Sequence, residues 1–175
     1  MKYIIVYGFM SGAVIIATML TGILMSDQES FFSSEWFGYL VMLVALTFIF
    51  VGVKRYRDVD CGGVIRFGPA FLTGLGIAAV AALVYILVWE IYLASTGYVF
   101  MDEYIAELVR ARQAQGVGGA ELARQMAGFE HMREQYRNPL FRVGITFLEI
   151  FPVGLLVALV SAALLRNPKL LPATR

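Results

Sequence analysis

The sequence predicts an all-α membrane protein, a bundle of four transmembrane helices with an external amphipathic helical hairpin between the third and fourth. Three observations predict it. Of 175 residues, 59% are hydrophobic and only 15% charged, and the mean hydropathy is +0.74. A soluble domain is nearer half apolar and a quarter charged, and one this small has too little interior to hide the excess. Four stretches approach or exceed the roughly 20 apolar residues that cross the hydrocarbon as a helix. The connection before the last of them is polar but periodic, as an amphipathic helix is. The same composition excludes disorder. A net charge of +1 leaves no broad basic field for nucleic acid. One cysteine excludes an internal disulfide, and one histidine a multi-histidine metal centre, so no cofactor is expected.

The first span, Tyr3–Met25, carries no charge. It is not read as a signal peptide, because the apolar run is long and no Ala-x-Ala site follows it. The second, Trp36–Val53, is shorter and also uncharged. Phe67–Ala94 contains Glu90 alone, and Val143–Leu165 contains Glu149 alone. Backbone groups in lipid must be satisfied internally, so these runs are helices, and none alternates as a barrel strand does. Small residues recur within them: Gly8 and Gly12; Gly38, Ala45 and Gly52; Gly74, Ala78 and Ala82; Gly154, Ala158 and Ala162. Such stripes let helices approach closely in lipid, either inside one bundle or against a second protomer.

Between the third and fourth spans, Met101, Tyr104, Ile105 and Leu108 recur at helical spacing, as do Leu122, Met126, Phe129 and Tyr136. Gly116-Val117-Gly118-Gly119 separates the two sets, and Asn138-Pro139 ends the second. The reading is a helical hairpin over about 100–137, within one membrane domain covering 1–175. Its apolar faces need a low-polarity surface, either the outer ends of the bundle or the headgroup region.

Basic residues set the orientation. Lys2 precedes the first span, Lys54, Arg55, Arg57 and Arg66 follow the second, and Arg166, Lys169 and Arg175 follow the last. The loop Ser26–Glu35 has Asp27, Glu29 and Glu35 and no basic residue. Both termini are therefore expected in the cytoplasm, with residues 95–142 outside. Lys54, Arg55, Arg57 and Arg66 are candidate contacts to anionic headgroups, at about 1 kcal/mol each. Gly62-Gly63 permits a tight turn but lacks phosphate-loop spacing. Cys61 is a juxtamembrane thiol, open to acylation or simply reduced.

Glu90 and Glu149 form the candidate intramembrane polar site. A carboxylate among apolar residues must be neutral, paired or wet. At the helical rise, Glu90 lies about 12 Å and Glu149 about 7–8 Å to the outer side of their helix midpoints. Both then fall in the outer half of the membrane. They either share one pocket as a proton-holding pair, or bond separately to hydroxyls, backbone and water. Glu149, the deeper, is expected to be the more sensitive to substitution. Pro152 frees the Leu148 carbonyl and kinks the last span, as a gating hinge or a static bend.

Several stretches carry a family likeness. Lys54-Arg55-Tyr56-Arg57-Asp58, Gly62-Gly63 and Phe67-Gly68-Pro69-Ala70 precede Gly74, and Thr146-Phe147-Leu148-Glu149-Ile150-Phe151-Pro152-Val153-Gly154 precedes Leu165-Arg166. Together they resemble the domain-of-unknown-function 4199 family, and Glu149-x-x-Pro152-x-Gly154 is the most specific part. The resemblance covers nearly the whole chain. It implies a bacterial inner-membrane protein and no particular activity. The residues themselves point first to a non-enzymatic scaffold or accessory protein, with lipid and a membrane protein partner or second copy as its contacts. The alternative is an oligomeric, proton-linked or small-solute transporter-like protein using Glu149 and Glu90. A lipid-directed enzyme is the weakest reading, since no nucleophile–base pair or metal cluster is legible.

Overall fold

The computed structural model describes residues 1–24 and 35–173. The described residues form six helices: α1 Lys2–Leu24, α2 Glu35–Asp60, α3 Phe67–Ser95, α4 Phe100–Ala114, α5 Gly119–Arg137 and α6 Pro139–Leu165. The acidic loop expected after the first span, with Asp27 and Glu29, lies outside the described residues. Contacts divide the chain into two compact units. One is Met1–Leu87 with Phe147–Arg175, and the other is Val88–Thr146.

The larger unit has an apolar core contributed by four helices. Ile15 of α1, Leu46, Ile49 and Val53 of α2, Ile77 and Ala78 of α3, and Ile150, Ala158 and Leu165 of α6 are all buried together. The small residues explain how the helices come so close. A methyl group at Gly8 would fall 2.5 Å from the Val80 side chain, and one at Gly12 2.8 Å from Val84. One at Gly154 would meet Ala78 at 2.8 Å, and one at Gly74 would meet Ala158 at 3.0 Å. Of the two uses open to those stripes, Gly8, Gly12, Gly74, Ala78, Gly154 and Ala158 serve the first, packing within the chain. Ser11, fully buried, donates across to the Ala45 carbonyl at 3.0 Å.

Much of the outward surface of this unit is apolar too. Ile5, Phe9, Leu43, Val44, Leu83, Leu87, Leu148, Leu156 and Val160 are all exposed. Helices apolar on every side belong in lipid or deep inside a larger protein. Lys2–Thr21, Phe67–Ser95 and Pro139–Leu165 are long and apolar enough to cross a membrane. α2 falls outside that set. Its described side chains are uncharged only from Leu40 to Val53, and its last turns carry Lys54, Arg55, Arg57, Asp58 and Asp60. Among the described residues three candidate spans therefore stand where the sequence predicts four.

The smaller unit is the end of α3, the α4–α5 hairpin and the start of α6. The hairpin falls where the periodicity puts it, and its tip turns at Gly116 and Gly119, both at positive φ. α4 buries Met101 and Ile105, whereas α5 buries nothing. Asn138 ends α5 and starts α6: its side chain accepts from the Leu140 N–H at 3.0 Å, with Pro139 as first helical residue. α6 thus begins at Pro139 rather than Val143, which brings Arg142 onto the helix.

Candidate functional site

The two glutamates have different surroundings. Glu90, in the smaller unit, is bound by Arg142 through both oxygens. Arg142 Nε donates to Oε1 at 2.8 Å and Nη2 to Oε2 at 2.7 Å, the parallel fork that only a guanidinium offers a carboxylate. Nη1 donates to the Tyr136 carbonyl at 3.0 Å, where α5 is ending. The Tyr98 ring lies 4.9 Å from the guanidinium carbon and the Tyr136 ring 5.8 Å. Arg142 is only 4% exposed. A buried cation is tolerated when paired and saturated with acceptors, and this one has both.

Local chain chemistry aims these groups. α3 ends in a Schellman turn: the Tyr98 N–H reaches the Leu93 carbonyl at 2.8 Å and the Gly97 N–H that of Ala94 at 3.4 Å. Gly97 takes φ +69°, which glycine adopts freely. Tyr98 follows at φ +61°, a conformation costing a non-glycine residue roughly 1–3 kcal/mol. That strained turn is where its ring covers Arg142. Trp89 donates to the Tyr136 hydroxyl at 3.0 Å and packs edge-on against Phe100, 4.8 Å between centroids. Nearby, Arg133 Nε lies 2.7 Å from Asp102, tying α5 to α4.

Glu149 lies in the larger unit, exposed on α6 between Leu148 and Ile150. Leu148, Pro152, Leu156 and Val160 share its outward side. Among the described residues no hydrogen bond or ion pair reaches its carboxyl. α6 runs unbroken through Pro152, which is itself exposed.

The basic residues after the second span also separate. The sequence reading sends Arg57 to the headgroups, and the structure corrects this: it is 0% exposed. Its Nε donates to Asp58 at 2.7 Å, Nη1 to the Leu170 carbonyl at 2.9 Å, and Nη2 to the Leu171 carbonyl. α2 extends to Asp60, so the basic run is helical, and the side of the helix decides each fate. Arg55 and Arg66 are exposed, and Lys54 is half-buried against Asp58. Burial acts to raise the Asp58 pKa, but Lys54 and Arg57 outweigh it and hold the carboxyl below its ordinary value. Gly62 and Gly63, at φ +63° and +87°, turn the chain, and the Gly63 N–H returns to the Arg57 carbonyl at 2.9 Å. Lys2 lies 3.7 Å from Asp60 and the Tyr3 hydroxyl donates to it at 3.2 Å. The start of α1, the end of α2 and the C-terminal tail therefore gather at one end of this unit.

Sequence reasoning singles out neither Arg142 nor the buried role of Arg57. The available signal is a lone arginine three residues past Pro139, on the threshold of an apolar run. Among the described residues no group of three His, Cys, Asp or Glu side chains could hold a metal. The chemistry on view is ion pairing and aromatic packing. No curated protein and no solved structure matches the chain. The family model described as protein of unknown function (DUF4199) matches residues 6–167, nearly the full length, and the chain belongs to that family.

Proposed function

We propose that this protein is a non-enzymatic scaffold or accessory protein of the bacterial inner membrane, with α1, α2, α3 and α6 as four crossing helices. α2 qualifies on its packing: Leu46, Ile49 and Val53 enter the shared core, while Leu40, Leu43 and Val44 face outward as lipid-facing residues do. Lys54 and Arg55 then anchor its end at the headgroups. Both termini belong in the cytoplasm. The gathering of Lys2, the Lys54–Asp60 end of α2 and the tail at one end supports this, since the basic segments lie together there. Residues 95–142 then lie outside.

The observation that carries the scaffold reading is the unequal hairpin. α4 is anchored through Met101 and Ile105, and α5 is tied to it by the Arg133–Asp102 pair, yet none of the 19 residues of α5 is buried. A held arm with Met126 exposed is suited to receive a partner protein. A photoreactive residue at Met126, irradiated in native membranes, should give one discrete adduct that a control at Arg112 does not. A smear shared by both positions would remove the docking role. A cysteine at Gly118, in a Cys61→Ser background, should be labelled from outside intact cells. Labelling only after lysis would overturn the orientation.

The transporter-like alternative rests on Glu149, unpaired on an apolar surface that a second copy would cover. Glu90 suits it less, because both its oxygens are held by Arg142. An infrared band from a protonated carboxyl above about pH 6, lost in Glu149→Gln, would favour that reading.

A further inference from the structure

The smaller unit carries a half-open cleft of about 390 Å³, within the size of small-molecule sites, about 300–1,000 Å³. Three guanidiniums line it, from Arg133, Arg137 and Arg142, against one carboxylate, from Asp102. Their commitments differ. Arg142 is spent on Glu90 and backbone carbonyls. Arg133 places Nε by Asp102 and Nη1 by Glu130, at 2.7 and 2.6 Å. Arg137 has no ion pair among the described residues. Three carboxylates, Asp102, Glu130 and Glu90, thus balance the three guanidiniums, but they fall on two of them, and the third, Arg137, is left uncommitted. A guanidinium's planar fork matches the paired oxygens of a phosphate.

Two further observations favour a lipid over a free ion. The cavity falls where two candidate spans terminate: Gly97 and Tyr98 follow the end of α3, and Pro139 begins α6. Beside it Trp89, Tyr92, Phe100, Tyr104 and Tyr136 form one continuous ring cluster. Tyrosine and tryptophan concentrate at headgroup depth, where one end of the ring is apolar and the other wet. Met101 and Pro139 add apolar wall to the same cavity.

We propose that this cavity binds the phosphodiester headgroup of a glycerophospholipid. Arg137 is its principal phosphate contact and Arg133 the second, with Met101 and Pro139 against the glycerol. The assignment rests on the membrane reading above. The same guanidiniums could also hold free phosphate, so the test separates the two. The full chain in detergent micelles is titrated with phosphatidylglycerol, with diacylglycerol, and with inorganic phosphate, and retained ligand is counted by native mass spectrometry. Wild type should retain phosphatidylglycerol and not diacylglycerol, and inorganic phosphate should not compete at the same concentration. Arg137→Gln should weaken retention about tenfold, the size of one charge-assisted hydrogen bond, with the lipid-free melting temperature unchanged. Equal retention by wild type and Arg137→Gln overturns the site, and so does full competition by inorganic phosphate. Carbonate washing of native membranes keeps the two readings apart. If wild type is extracted, the membrane reading fails. If it stays while Arg137→Gln binds as well as wild type, only the cavity assignment fails.

Discussion

Glu90 and Glu149 each stand in a helix of nearly unbroken apolar residues, yet among the described residues one carboxylate is gripped on both oxygens and the other on neither. Depth along the helix is not what decides this. What separates them is the neighbour that the next segment delivers. Glu90 faces the start of α6, where Asn138-Pro139 sets the helix so that Arg142 falls within its first turns. No arginine or lysine of α6 lies near Glu149 along the helix, since the basic residues that flank it in sequence are Arg142 and Arg166. A carboxylate with a fork-shaped partner is a structural fastening. One without a partner among the described residues fastens nothing there.

Breaking the fastening should give the largest effect. Arg142→Ala leaves Glu90 without its partner cation and frees two ring faces. Removing one partner of a buried pair costs about 3–5 kcal/mol, and the 26% exposure of the Glu90 side chain points to the lower end. Thermal melting in a fixed micelle should show it. Arg142→Lys should recover part of the loss, because the charge stays while the fork and its carbonyl contacts go. Replacing both partners, Glu90→Leu with Arg142→Met, should be milder than Arg142→Ala alone, since an apolar pair leaves no orphaned charge. If the double change is as costly as the sum of the singles, the pair is not the unit of stabilisation.

A second buried arginine extends the comparison. Arg57, like Arg142, joins a carboxylate to backbone carbonyls from a segment beyond a helix end, here Leu170 and Leu171 of the tail. Arg57→Met should release the tail at a cost of about 2–3 kcal/mol, from carbonyls left without donors. Protease cleavage after Lys169 should quicken accordingly. The same fastening has a definite pH response. Lys54 and Arg57 hold Asp58 below its ordinary value of 3.8, despite burial acting the other way. A depressed carboxyl contributes its stability in full above the unfolded value and loses it as pH falls through the folded one. Tail protection should therefore be flat from neutral pH to about 5 and fail only on the acid side of 3.8. Loss of protection between pH 7 and 5 would assign the response to another group.

How much of this is legible in the sequence follows from range. The hairpin, its glycine tip and the Asn138-Pro139 junction are local patterns, and they fall where periodicity and turn chemistry put them. Family membership is legible too, from Glu149-x-x-Pro152-x-Gly154 and the turn after the second span. Partnerships are not. Arg142 lies 52 positions from Glu90, and Leu170 lies 113 from Arg57, and nothing in hydropathy encodes such pairings. The basic run Lys54–Arg57 reads as one patch in sequence, but on a helix its members point to different sides, so Arg57 turns inward while Arg55 stays exposed. The expectation that Glu149 is the more sensitive glutamate rests on depth alone. The Arg142 fork predicts the reverse for folding of the single chain, with Glu90 the more sensitive.

Packing in the larger unit supplies an intermediate effect. Gly154→Leu would drive a side chain into Ala78, whose methyl carbon stands only 2.8 Å from where the new Cβ would sit. Overpacking of that kind costs about 1–3 kcal/mol, and it should separate α3 from α6 without touching either arginine. Gly128→Leu in α5 meets nothing within 4 Å and should be close to neutral in the same melt. Equal losses at both sites would mean that the hairpin carries a packed face after all.

The smallest effect expected on the isolated chain belongs to Glu149. Glu149→Leu removes no hydrogen bond and no ion pair, and it places an apolar group beside Leu148, Pro152 and Leu156. Stability in dilute micelles should stay within about 0.5 kcal/mol, and Glu149→Gln should do the same. Association is where the two variants should part. If a second copy covers this face, its Glu149 comes up against the first, and the pair needs one carboxyl to hold a proton or a donor to bridge them. Gln keeps both donor and acceptor and should preserve association, whereas Leu can supply neither. Sedimentation of wild type, Glu149→Gln and Glu149→Leu at rising protein-to-detergent ratio reads this directly. A dimer kept by Gln and lost in Leu would make the carboxyl an interface group. Identical monomers in all three would leave the face to lipid, with Glu149 drawn toward the headgroups by its own cost in hydrocarbon.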